Sequence, residues 1–169
     1  MLSYKQFGIL VLTVLLILSC QQKKDHNFTV SGYIKNAPDS TVARLYLSLP
    51  SGDKLVDSAD VDPDGNFLLK ARTQGLNFYY VNFSGQNYNI YLLVDSGQNI
   101  VLTADYRDIL NTYRVQGSPR SDTIRMLEQH LAHTRKQIDS LAEIYNELVD
   151  KGLTDSAKTV DSVIKQVMA

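Results

Sequence analysis

Residues 78–105 read FYYVNFSGQNYNIYLLVDSGQNIVLTAD, and this stretch decides the fold. Tyr79, Val81 and Phe83 alternate with Phe78, Tyr80 and Asn82. Ile90, Leu92 and Val94 alternate with Tyr91, Leu93 and Asp95, and Ile100, Leu102 and Ala104 with Val101, Thr103 and Asp105. A period of two places the first member of each set on one face of a strand. The breaks, Ser84-Gly85-Gln86-Asn87 and Ser96-Gly97-Gln98, have turn chemistry, because glycine accepts positive φ without a steric penalty. Working outward, the same alternation recurs around Phe28, Val30 and Ile34, around Leu45, Leu47 and Leu49, and around Phe67, Leu69 and Ala71. Asn36-Ala37-Pro38-Asp39, Pro50-Ser51-Gly52-Asp53 and Pro63-Asp64-Gly65-Asn66 punctuate those runs. Short strands at even spacing predict an antiparallel β-sandwich or a partly closed barrel over residues 26–117. The gaps are too short for crossover helices, which argues against a parallel α/β sheet.

The regime changes at Gly117-Ser118-Pro119. Ser118 is suited to cap a helix and Pro119 to occupy its first position, where no amide hydrogen is needed. Asp122 falls in the first turn, favourable for the helix dipole. Leu127, Leu131, Ile138, Leu141, Tyr145 and Leu148 follow at helical steps, interrupted by Thr134. Lys151-Gly152 ends this helix, and Thr154 or Asp155 starts a second with Val160, Val163, Ile164 and Val167 on one side. Residues 118–169 therefore read as a helical hairpin. Its stripe packs the two helices together, docks on the β domain, or pairs with another chain. The second helix meets the last residue without a stop signal, which reads as an interruption.

The amino-terminal residues carry a different message. Lys5 precedes an apolar core over residues 7–18, and Ile17-Leu18-Ser19 leads into Cys20, the single cysteine of the 169 residues. A core of about a dozen residues falls short of the roughly 20 that a membrane-spanning helix needs, and matches a cleaved export signal. The segment resembles the lipobox of bacterial lipoproteins. That resemblance implies removal of residues 1–19, diacylglyceryl transfer to the Cys20 sulfur and acylation of the new amino terminus. The polar run Gln21-Gln22-Lys23-Lys24-Asp25 itself reads as a short tether over residues 20–25. No aspartate follows Cys20 directly, so the expected location is the periplasm-facing outer membrane. Loss of Lys5 takes the formal net charge from −1 to −2, which argues against a nucleic-acid surface. A lipid-bearing Cys20 leaves no thiol for disulfides or redox work.

Chemistry-bearing constellations are weak. Asp60, Asp62 and Asp64, with Gly65, copy the opening of a calcium loop, but the twelfth position, where a bidentate glutamate belongs, is Ala71. A hairpin turn with solvated aspartates accounts for them. His130 and His133 are one helical turn apart, with Glu128 and His26 as vague further zinc ligands. Ser58, Ser84, Ser96 and Ser118 sit in no nucleophile elbow. No catalytic residue, metal or cofactor is assigned. Eight of the ten tyrosines (Tyr33, Tyr46, Tyr79, Tyr80, Tyr88, Tyr91, Tyr106, Tyr113) lie in the β domain, as strand formers and half-buried core or as a recognition patch.

The order of lipobox, Phe28-Thr29-Val30-Ser31-Gly32-Tyr33-Ile34, Ala43-Arg44-Leu45-Tyr46-Leu47, the run from Asp57 through Gly65 to Phe67, Tyr91-Leu92-Leu93-Val94-Asp95-Ser96-Gly97 and Val115-Gln116-Gly117-Ser118 resembles domain-of-unknown-function family 4369. In that family the β domain commonly precedes a helical linker and a thioredoxin-like domain of the TlpA / AhpC-TSA type. The resemblance implies a lipoprotein accessory module of a periplasmic thiol-disulfide oxidoreductase. This chain has no Cys-x-x-Cys onto which catalytic residues carry over. Three expectations follow: a lipid-anchored, non-catalytic module that holds a protein partner in the envelope, the truncated amino-terminal part of an oxidoreductase, or a structural protein that oligomerises through the helical stripe.

Overall fold

A computed structural model describes residues 27–168. Seven strands come first: β1 (Phe28–Lys35), β2 (Val42–Leu47), β3 (Lys54–Asp60), β4 (Asn66–Ala71), β5 (Asn77–Phe83), β6 (Asn89–Val94) and β7 (Asn99–Asp105). A single helical turn, α1 (Ile109–Thr112), leads to β8 (Arg114–Gln116), and two helices follow, α2 (Pro119–Asp150) and α3 (Thr154–Met168). The strands form two four-stranded sheets, ordered β4-β1-β7-β8 and β3-β2-β5-β6. They face each other as an open sandwich, so of the two architectures the sequence allows, the barrel is set aside.

The alternating sets point where their period puts them. Phe28, Val30, Ile34, Leu69, Ile100 and Leu102 of the first sheet meet Leu45, Tyr79, Val81, Phe83, Ile90 and Leu92 of the second in one buried core. Aromatic pairs stitch the sheets together: Phe28 meets Tyr79 edge-on at 5.0 Å, and Phe67 meets Phe83 at 5.4 Å.

Three features differ from the sequence expectation. β3 was not marked by alternation, because it is a sheet edge whose register slips between Leu45 and Tyr46, bringing Leu55 opposite Tyr46. β8, three residues long, is too short to show a period. The sandwich is also not wholly antiparallel: β1 runs parallel to β7, from Thr29 beside Asn99 to Lys35 beside Asp105. The intervening strands serve as the crossover that a helix provides elsewhere. Gly32 makes this pairing possible, since a Cβ there would lie 2.1 Å from the Leu102 carbonyl oxygen and 2.8 Å from the Phe67 ring.

Both lateral openings of the sandwich are closed by side chains bonding to backbone. On one side Asp57 of β3 accepts a 2.7 Å hydrogen bond from the Lys70 amide of β4. On the other, α2 lies along the β6 and β8 edges. The Leu93 amide donates to Ser121 Oγ at 2.9 Å, and Ser118 Oγ donates to the Leu93 carbonyl at 3.1 Å. Ser118 is also the N-cap of α2, with Pro119 behind it and Asp122 in the first turn. At the other end of α2, Gly152 (φ +71°) donates to Val149 and Leu153 to Leu148, a Schellman stop.

The helical stripe divides into a packed and an exposed part. Ile138, Leu141, Tyr145 and Leu148 are half-buried, as are Val160, Ile164 and Val167 on α3, and the two helices pack on each other. Leu127 and Leu131 are exposed. Where α2 meets the sandwich, polar Ser121, Glu128 and Gln129 make the recorded side-chain bonds.

Candidate functional site

The strands run between two ends, and chemistry separates along that axis. The near end is where residue 27 enters, with the turns 48–53, 72–76 and 95–98 and the start of α2. The far end holds 36–41, 61–65, 84–88 and 106–113.

At the near end Asn27 is caged. Its amide Nδ2 donates to the Thr73 carbonyl (2.7 Å) and to Ser96 Oγ (3.0 Å), and its Oδ1 accepts from the Thr73 amide (2.9 Å). Around this neutral knot stand exposed apolar side chains: Leu49 (38 % exposed), Leu55 (50 %), Leu76 (46 %) and Phe78 (41 %). Next to them, on the outer face of the second sheet, Tyr46, Tyr80 and Tyr91 are direct cross-strand neighbours. Tyr46 and Tyr80 stack at 4.9 Å with 14° between planes, and Tyr91 tilts onto Tyr80 at 5.8 Å. Their ring faces are spent on each other, which is the cross-strand pairing that stabilises a sheet. Burial, then a 3.0 Å hydrogen bond to Asp53, pushes the Tyr80 phenol up to about 12. Lys54, Lys70, Arg72 and Arg120 are exposed at this end against the acids Asp53 and Asp95.

The far end is acidic. Asp62 Oδ1 accepts from the Asn66 amide at 2.7 Å, and the Gly65 amide closes the turn onto the Asp62 carbonyl at 2.8 Å. Asp62 is thereby committed to the turn that carries the chain from β3 in one sheet to β4 in the other, with Gly65 at φ +89°, rather than to a hairpin within one sheet. Asp105 accepts from Asn36 Nδ2 (2.8 Å) and the Arg107 amide (3.0 Å). Donated amide hydrogens hold both carboxylates below their usual range, that of Asn66 first for Asp62 and that of Arg107 first for Asp105. The calcium-loop residues thus occupy this turn: Asp60 ends β3, Asp62 pairs with Asn66, and Asp64 is exposed. A polar hollow of about 420 Å³ lies beside them, lined by Tyr33, Asn36, Asp39, Ser40, Asp62 and Asp64 among others.

The far end also fastens the long helix. Tyr88 and Tyr113 both donate to Glu128 Oε2, at 2.8 and 2.6 Å. Gln129 Nε2 donates to the Leu110 carbonyl at 3.0 Å. Burial, and then the bond to Glu128, raises both phenols well above their usual range, so they stay protonated donors. This triad clamps α2 to the far end of the sandwich. Sequence reading placed Glu128 only as a loose zinc ligand; its partners lie 15 and 40 residues away and meet it through topology alone. His130 and His133 are exposed on α2, and His133 lines a groove of about 560 Å³ between α2 and α3. Among the described residues no group of three or more His, Cys, Asp or Glu could hold a metal ion, and no helix is long and apolar enough to cross a membrane. Cys20, His26, the leader over residues 1–19 and the tether lie outside the described residues.

The family model described as "Domain of unknown function (DUF4369)" matches residues 28–124, more than half of the chain. The chain belongs to this family. Its match runs from the first residue of β1 to just past Ser121, so the DUF4369 unit is the sandwich plus the helical turns that seal its β6/β8 edge. The remainder of the hairpin lies beyond the matched region. Among solved structures, the chain is similar to (S)-allantoin synthase at 14 % identity and TM-score 0.36, over 60 % of this chain and 47 % of that one. The chain thus spans about half the length of that synthase. It is also similar to sea bream transthyretin in complex with thyroxine, at 11 % identity and TM-score 0.36, over 53 % of this chain and 92 % of that one. At such values neither protein's chemistry extends to this DUF4369 chain. No curated protein matches it.

Proposed function

We propose that this protein is a lipid-anchored, non-catalytic binding or accessory module of the bacterial envelope, facing the periplasm from the outer membrane. The observation that carries the reading is Ile17-Leu18-Ser19-Cys20, with only six residues between Cys20 and the caged Asn27. Acyl chains on Cys20 supply a stable anchor, since each buried methylene contributes about 0.8 kcal/mol. Asp57, Ser118 and Ser121 are occupied in closing sheet edges, and Glu128 in clamping α2. This favours holding a partner over turning over a substrate. The test is mass spectrometry of the full chain made in a bacterial host. A mature amino terminus at Cys20 bearing diacylglycerol is expected, and Cys20→Ser should release the protein from membranes. An intact leader with an unmodified Cys20 removes the proposal.

A further inference from the structure

The near end combines the chain's entry point with exposed apolar side chains and with exposed cations, set among the acids Asp53, Asp95 and Asp122. Asn27 is pinned by Thr73, Ser96 and the backbones of Ala71 and Gly97, so the entry point is fixed in the fold. Six residues separate Cys20 from Asn27. Fully extended, that connection reaches about 25 Å, and less in any other conformation. An acylated Cys20 therefore keeps this end within a short distance of the bilayer surface. Leu49, Leu76 and Phe78 are exposed around that point, with Leu55 one step further up the sheet. Lys54, Lys70 and Arg120 are exposed at the same end. α2, by contrast, starts here at Leu93 and passes Tyr88 and Tyr113 at the far end before it pairs with α3.

We propose that the near end is a membrane-contact face: Leu49, Leu55, Leu76 and Phe78 rest in the interface of an anionic phospholipid bilayer. Lys54, Lys70 and Arg120 face its headgroups, and the α2–α3 hairpin is directed away from the lipid. The inference rests on the acylation of Cys20 proposed above. Apolar side chains beside basic ones suit the headgroup boundary, and a second contact converts a loose tether into a fixed orientation.

The sequence contains no tryptophan, so a single introduced one is a clean reporter. The processed full chain carrying Leu76→Trp is reconstituted into phosphatidylethanolamine/phosphatidylglycerol vesicles with brominated acyl chains. Leu76→Trp is expected to lose most of its emission, and Leu153→Trp, in the turn between α2 and α3, to keep it. Leu49→Trp serves as a second near-end reporter should Leu76→Trp fail to fold, and Lys54→Glu with Lys70→Glu should restore part of the lost emission. Unquenched near-end reporters on a chain whose Cys20 is acylated by mass overturn the contact face and leave the anchor standing. A bare Cys20 overturns both, and the mass distinguishes the two failures.

Discussion

The two ends of the sandwich are built from different chemistry. The near end is knotted around the entry point by neutral groups, the Asn27 amide, Thr73, Ser96, and the hydroxyls of Ser118 and Ser121 that hold α2 to β6, with the Asp53 carboxylate bonding Tyr80 beside them. The far end is knotted by carboxylates: Asp62 and Asp105 in turns, Asp108 capping α1, Glu128 holding α2. One long helix is thus fastened twice, by hydroxyls at one end and by a carboxylate at the other. Asp39, Asp60, Asp62, Asp64, Asp105 and Asp108 concentrate negative charge at the far end, whereas at the near end Lys54, Lys70, Arg72 and Arg120 stand among fewer acids. Local turn requirements and surface electrostatics are met by the same residues.

The largest expected effect erases the difference between the ends. Gly32→Ala drives a methyl group into the Leu102 carbonyl and forces β1 from β7, which should destabilise by about 3 kcal/mol or more. Urea unfolding with hydrogen exchange should show protection lost at both ends alike. Next is Glu128→Ala, which leaves the fully buried Tyr113 hydroxyl without its acceptor and should remove about 2 kcal/mol. Exchange should rise along α2 near residue 128 while the Ser121 end stays protected, and Glu128→Gln, which keeps an acceptor oxygen, should lose less. Asn27→Ala strips the near-end cage and should lower stability by about 1–2 kcal/mol, with faster exchange at the Thr73 amide and little change at Asn66.

The smallest effect separates the ends by pH. Asp62 and Asp105 have lowered folded-state values, so their contribution is present above the unfolded carboxylate value near 3.8 and is lost as pH falls through the folded one. Acidification into that window should speed exchange at the Asn66 and Arg107 amides. The Thr73 amide, bonded to the Asn27 side-chain oxygen, should not respond. Equal acid sensitivity at all three amides would contradict the division.

The legible parts of the fold are those governed by local rules. Period-two alternation marks β1, β4, β5, β6 and β7 because one face of each is buried, and Ser118-Pro119 marks the start of α2 because its cap is local. β3 escapes because Asp57 turns from its edge to the Lys70 amide and the slip beside Tyr46 breaks the alternation. The seat of α2 on the sandwich was not readable from the apolar stripe, because the side-chain bonds there come from Ser121, Glu128 and Gln129, which a search for apolar steps passes over. The aspartates after β3 were readable as a turn from Pro63 and Gly65. The Tyr88–Glu128–Tyr113 clamp and the near-end surface were not readable, since each is assembled from segments far apart in sequence.

The parallel union of β1 with β7 sets the order in which this domain can be completed. β1 needs a neighbour that lies about seventy residues downstream, Thr29 waiting for Asn99. Until then it holds an unsatisfied row of peptide groups, through synthesis and through any passage across a membrane that begins with the amino terminus. Joining such distant partners is slow, and an open strand invites mispairing with other chains. A fragment ending before Asp105 should therefore aggregate rather than fold in part, and the sandwich should form in a single late step.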